Sequence, residues 1–77
     1  MVRRYGSPYD HKRYLVNKNP SSKEIHDLDN ETEHCHIDDI KIEHIEMLDT
    51  ESDVKQYLRL NPDFDGCFWC LRKYHSK

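Results

Sequence analysis

The chain has 77 residues, 35% of them hydrophobic and 35% charged, with a formal net charge of −3. That length holds one small domain and excludes a multidomain enzyme. No apolar run approaches the ~18 residues of a membrane span, and Met1-Val2-Arg3-Arg4-Tyr5-Gly6 lacks the apolar stretch of an export signal, so a cytoplasmic location is expected.

Residues 1–13 contain Gly6, Ser7 and Pro8 and no sustained apolar period. They read as a basic, partly irregular arm, docked through Tyr5 or Tyr9; the rest, 14–77, reads as the folded domain. Tyr14-Leu15-Val16 is aromatic and β-branched and suits a strand. Asn17 to Ser22 is turn chemistry throughout, and Lys23-Glu24-Ile25-His26 can return as the second strand of a hairpin.

Residues 27–36 are polar and acidic, which predicts a loop. Over 37–48 the isoleucines fit two periods. Ile40 and Ile42 alternate with polar neighbours, as do Ile45 and Met47, but the phase slips between the pairs. Ile37, Ile40, Ile45 and Leu48 also fit a helical stripe. The richness in Ile and the scarcity of caps favour a strand near 43–48. Thr50 then stands as an N-cap with Asp53 three residues on, and Val54, Tyr57 and Leu58 fall on one helical face. Asn61-Pro62 ends that helix, which is predicted over 51–60. Asp65-Gly66 reads as a tight turn, and residues 68–75 as a last short helix. The expected fold is a small α+β domain: a hairpin and a third strand packed with one or two short helices.

Charge is divided along the chain: +5 over residues 1–23, −11 over 24–65 and +3 over 66–77. The acidic middle disfavours wrapping a nucleic-acid backbone. Leu, Ile, Val and Phe make sixteen residues, about 21% of the chain, close to the ~20% below which chains stay disordered. A core this thin usually gains a disulfide, a metal or a partner subunit.

Three cysteines and six histidines supply the candidates. An odd cysteine count argues against a disulfide framework. Cys67-Phe68-Trp69-Cys70 has the C-x2-C spacing that lets two thiolates reach one ion from a turn, and Cys35 is the remaining thiol. A tetrahedral Zn2+ site then wants one imidazole. His26 is favoured, because it ends the predicted hairpin on a separate element. His75 is the runner-up and His44 third. His34 and His36 flank Cys35 too closely to share its ion. One structural Zn2+ held by His26, Cys35, Cys67 and Cys70 is the expected cofactor. Four protein ligands leave no open position for catalysis.

The run Tyr14-Leu15-Val16-Asn17-Lys18, then Lys23-x-x-His26, Cys35, a helix and Gly66-Cys67-x-x-Cys70 resembles the Ada-type metal-binding fold. More closely it resembles small bacterial and phage zinc-binding proteins with a VNKNP…H…C…DGCxxC…H pattern. The resemblance spans about residues 14–75. It implies a compact α+β unit in which zinc joins the hairpin end to the C-x2-C turn. In the Ada repair domain a zinc-bound cysteine accepts a methyl group from a DNA phosphotriester; the matching position here is His26, and imidazole is not that nucleophile.

No G-x-S-x-G, Walker A or H-E-x-x-H run occurs. The favoured reading is therefore a non-enzymatic, zinc-stabilised protein-interaction module, an adaptor or inhibitor whose acidic segment meets a basic partner. The alternative is a nucleic-acid-binding module, or a nucleic-acid mimic. Arg3, Arg4, Lys12, Arg13 and Trp69 are the candidate interaction residues. An alkyl acceptor acting through Cys35 is the third reading.

Overall fold

The computed structural model describes residues 2–76. Four strands form one mixed sheet: β1 (Tyr14–Asn17), β2 (Glu24–Asp27), β3 (Ile45–Leu48) and β4 (Asp65–Gly66). One helix, α1 (Glu51–Leu60), lies between β3 and β4 in the chain. The sheet order is β3-β1-β2-β4. β1 pairs antiparallel with β2, placing Leu15 opposite His26, and antiparallel with β3, placing Leu15 opposite Met47. β2 pairs in parallel with β4.

The hairpin forms where its residue types demand it. Asn17 Oδ1 accepts from Asn19 N, and Asn19 Oδ1 accepts from Ser21 N, so two short amide side chains close the turn locally. All of β1 and three of the four residues of β2 are buried. Both faces of the sheet centre are therefore covered. Tyr14, Leu15, Val16, Ile25, Leu28, Ile37, Val54 and Leu71 make the apolar core, and the three cysteines belong to the same cluster.

The 37–48 stretch resolves into two kinds of structure. Tight 3-10 turns occupy Ile37–Asp39 and Ile42–His44, and β3 follows. The slip in the isoleucine pattern marks that change: Ile37 is buried in its turn, and Ile42 faces solvent at 73% exposure. The polar loop over 27–36 also winds into two 3-10 turns, Leu28–Asn30 and Glu33–Cys35. Asp27 caps the first and Thr32 the second.

α1 forms where the capping residues place it. Thr50 Oγ1 accepts from Asp53 N, and Asp53 Oδ2 accepts from Thr50 N, each at 3.1 Å, so two orphan donors of the first turn are satisfied reciprocally. Val54 is fully buried, and Tyr57 packs edge-on against Phe64 at 5.2 Å.

Two expectations need correction near the C-terminus. Asp65-Gly66 is not a free turn but a two-residue strand on β2. Residues 68–75 do not form a helix; only Arg72–Tyr74 makes a 3-10 turn. The cause is the knuckle before it. Leu71 N donates to Cys67 O at 2.9 Å, and Leu71 itself leaves the helical region with φ −140° and ψ 48°, so the chain cannot wind on through Cys70.

The arm carries no strand or helix over residues 2–13, yet it is tied down. Arg4 forks onto Glu31 with two bonds of 2.8 Å and reaches Asp38 at 2.7 Å. Arg3 bonds Asp29 at 2.6 Å, and Tyr9 packs against the core.

Gly66 sits where the C-terminal segment crosses it. A Cβ there would lie 2.6 Å from the Leu71 carbonyl oxygen and 2.8 Å from Tyr74 Cβ. Gly66→Ala is expected to cost about 1–3 kcal/mol through overpacking, read as a lower midpoint in a thermal melt. Tyr74 donates to Glu51 Oε2 at 2.6 Å, and this bond pushes the phenol up to about 12. A phenol with a raised folded pKa contributes its stability below the unfolded value and loses it as pH rises through the folded one. Tyr74→Phe should therefore destabilise at neutral pH, with the gap closing as pH climbs from about 10 to about 12. Titration by ultraviolet absorbance should lose its highest tyrosine step in that variant.

Candidate metal centre

Three separate parts of the chain deliver the cluster. β2 carries His26, whose ring lies on the side of the strand opposite Ile25 by the alternation of strand side chains. The Glu33–Cys35 turn carries Cys35. The knuckle after β4 carries Cys67 and Cys70, and Cys67 N extends the strand ladder by donating to Ile25 O at 2.8 Å.

One ligand atom from each of His26, Cys35, Cys67 and Cys70 lies within 4.8 Å of every other, and all four residues are buried. Cys35 Sγ stands 3.8 Å from Cys67 Sγ, and Cys70 Sγ 3.6 Å from His26 Nδ1. A tetrahedron with metal–sulfur bonds of about 2.3 Å and metal–nitrogen bonds of about 2.0–2.1 Å has sulfur–sulfur edges of about 3.8 Å and sulfur–nitrogen edges of about 3.5–3.6 Å. Two of the six observed separations match those edges, and the rest stay within 4.8 Å. The residues therefore fit one four-coordinate ion.

Each sulfur also accepts a backbone N–H. Asp27 N donates to Cys70 at 3.2 Å, Thr32 N to Cys35 at 3.4 Å and Trp69 N to Cys67 at 3.4 Å. Such bonds favour the thiolate over the thiol and fix the orientation of a ligating group. In the protein alone, Cys67 and Cys70 titrate as a pair. A hydrogen bond from Cys70 holds Cys67 well below the usual thiol range. The same bond, with burial, pushes Cys70 above it.

Asp27, absent from the sequence reasoning, braces this end of β2. Burial pushes its carboxyl up, but the two bonds from Arg13 at 2.9 and 2.8 Å, with bonds from Asn30 and Asp29 N, outweigh burial and hold it below the ordinary range. Its adjacency to the candidate ligand His26 was the available signal. Glu24, two residues before His26, is shifted the opposite way: burial pushes it up and the Cys67 charge adds to that.

The other histidines stand apart. His75 Nδ1 lies 2.9 Å from Asp65 Oδ2 and 3.0 Å from the Gly66 carbonyl, so it braces β4. His34 stacks on Trp69 at 4.3 Å between ring centroids. His36 adopts a left-handed backbone conformation, with φ 52°, between two 3-10 turns and faces Asp39. His44 lies outside the cluster, its buried Nδ1 making no hydrogen bond among the described residues.

The candidate interaction residues are dispersed. Arg3, Arg4 and Arg13 bond Asp29, Glu31, Asp38 and Asp27 of the chain itself. Lys12 is exposed on the arm. Trp69 is 52% and Phe68 38% exposed on the outside of the knuckle. No helix among the described residues is long and apolar enough to cross a membrane. Comparison with protein-family models, curated proteins and solved structures finds no match to the chain.

His26→Ala should abolish stoichiometric metal retention, whereas His75→Ala and His44→Ala should each keep one ion per chain. Native mass spectrometry of the three variants reads this directly; an ion that survives His26→Ala but leaves with His75→Ala would reassign the fourth ligand.

Proposed function

We propose that the chain is a non-enzymatic module, stabilised by one structural Zn2+, that binds a protein partner. The closed Cys3His set carries this reading. Three thiolates and one imidazole are the donors that suit zinc, and borderline-soft N and S ligands in a tetrahedron disfavour Mg2+ or Ca2+. His26, Cys35, Cys67 and Cys70 would hold the ion. All four positions would come from the chain, so no site remains for a water or a substrate oxygen. What the ion supplies is cross-linking of the hairpin, the Glu33–Cys35 turn and the knuckle.

The magnitude supports a structural role. Structural zinc contributes an apparent ~10–16 kcal/mol in small peptides, comparable with the whole ~5–15 kcal/mol stability of an ordinary domain. Reduced thiolates also accord with a reducing, cytoplasmic compartment.

A protein partner has more support than a nucleic acid. The arginines on which a phosphate-binding arm would rely are engaged: Arg3 and Arg4 neutralise Asp29, Glu31 and Asp38, and Arg13 neutralises Asp27. Releasing them for phosphate would leave Glu31 and Asp27, whose side chains are only 3% and 4% exposed, as uncompensated buried charges.

The purified chain should carry one zinc per molecule by native mass spectrometry. Removing it with a strong chelator should abolish the cooperative thermal transition seen by circular dichroism, and added Zn2+ should restore it. Metal-free material that still melts cooperatively would contradict the proposal.

A further inference from the structure

The knuckle carries an aromatic shelf on its outer side. His34 stacks on Trp69 with rings 24° apart. Trp69 meets Phe68 edge to face at 5.1 Å, and Phe68 meets His75 edge to face at 5.4 Å. Trp69 N donates to Cys67 Sγ, so the shelf is fastened to the metal centre. The two largest rings nonetheless remain 52% and 38% exposed. Burying a side chain of this size gains ~1.5–3 kcal/mol, so two such rings left outside a core this thin are available surface.

The charge beside the shelf indicates what fits it. The Arg72 guanidinium lies over the Phe68 ring at 4.5 Å and bonds no carboxylate among the described residues. Arg72 also lines a cleft of about 290 Å3 together with Arg13, Lys73, Asn30 and Asp27. Arg13 and Lys73 already hold Asp27 and Glu51; Arg72 is the cation left over. Shelf and cleft together offer apolar faces for one side chain and a single unmatched guanidinium for one anion.

We propose that this surface docks a partner-protein segment in which an Asp or Glu lies next to an aromatic or aliphatic side chain. The apolar side chain would lie on Trp69 and Phe68, and the carboxylate would take the forked donors of Arg72. A peptide can bring one carboxylate to one cation. A nucleic-acid strand carries a phosphate at every step. It would bring those phosphates toward the exposed acids Asp29, bonded to Arg13, and Glu33, next to His34. The proposal rests on the protein-partner reading and adds the site and the partner's chemistry.

Selection from a display library of random linear peptides on the zinc-loaded chain tests it. Enriched peptides should pair an acid with a neighbouring apolar residue. Binding of a synthesised winner should fall about thirtyfold in Trp69→Ala and about tenfold in Arg72→Ala. A repeat selection on Arg72→Glu should exchange the acid for Lys or Arg. No enrichment, a basic consensus on the unaltered chain, or winners indifferent to both alanine variants would overturn the proposal. So would tighter binding of a mixed-sequence single-stranded oligonucleotide that Trp69→Ala abolishes. Native mass spectrometry of each variant keeps the two readings apart. Retained zinc with lost peptide binding places the loss at the shelf itself rather than in the fold, whereas a metal-free, folded chain refutes the zinc reading and leaves the selection to report on the shelf.

Discussion

The structure depends on a convergence of four buried side chains from three stretches of the chain, two of them already paired in the sheet. His26 arrives on the sheet, Cys35 on a 3-10 turn, and Cys67 and Cys70 on the knuckle after β4. Three sulfurs and an imidazole at these separations carry too much polarity to be a restful apolar core. Buried thiolates repel one another and lose their hydration. Backbone N–H groups offset part of that cost at every sulfur. A cation at the centre would offset the rest, and it would turn mutual repulsion into common attraction.

Around this centre the charges cancel locally. The basic arm and the acidic middle segment, well separated in sequence, meet as ion pairs: Arg3 with Asp29, Arg4 with Glu31 and Asp38, Arg13 with Asp27. The exposed pairs add little individually. Those closing on Glu31 and Asp27 matter more, because each supplies a fork of two bonds to a carboxylate removed from water. The division of charge along the sequence thus becomes an internal clasp as much as an external surface.

Much of the fold was legible because its signals are local. Thr50, Asp53 and Asn61-Pro62 bound α1 at the residues where the helix runs, and the amide-rich turn marks the hairpin. The gathering of His26 and the three cysteines followed from spacing plus the poverty of the core. What was not legible is set by contacts distant in sequence. β4 is two residues long and exists only because β2 offers its edge; alone, Asp65-Gly66 reads as a turn. The last helix fails because the turn closed by Leu71 N on Cys67 O leaves Leu71 outside the helical region, and residue propensity carries no trace of that. The arm's arginines look free in the sequence because their partners lie some fourteen to thirty-four positions away.

Asp27 illustrates how few residues connect these parts. Its amide holds Cys70 sulfur, its carboxylate holds Arg13 and Asn30, and the same carboxylate caps the Leu28–Asn30 turn. Asp27 therefore touches both the cysteine cluster and the basic arm at the end of β2. The link between sulfur and arginine thus runs through a single polar side chain and its own amide rather than through apolar packing.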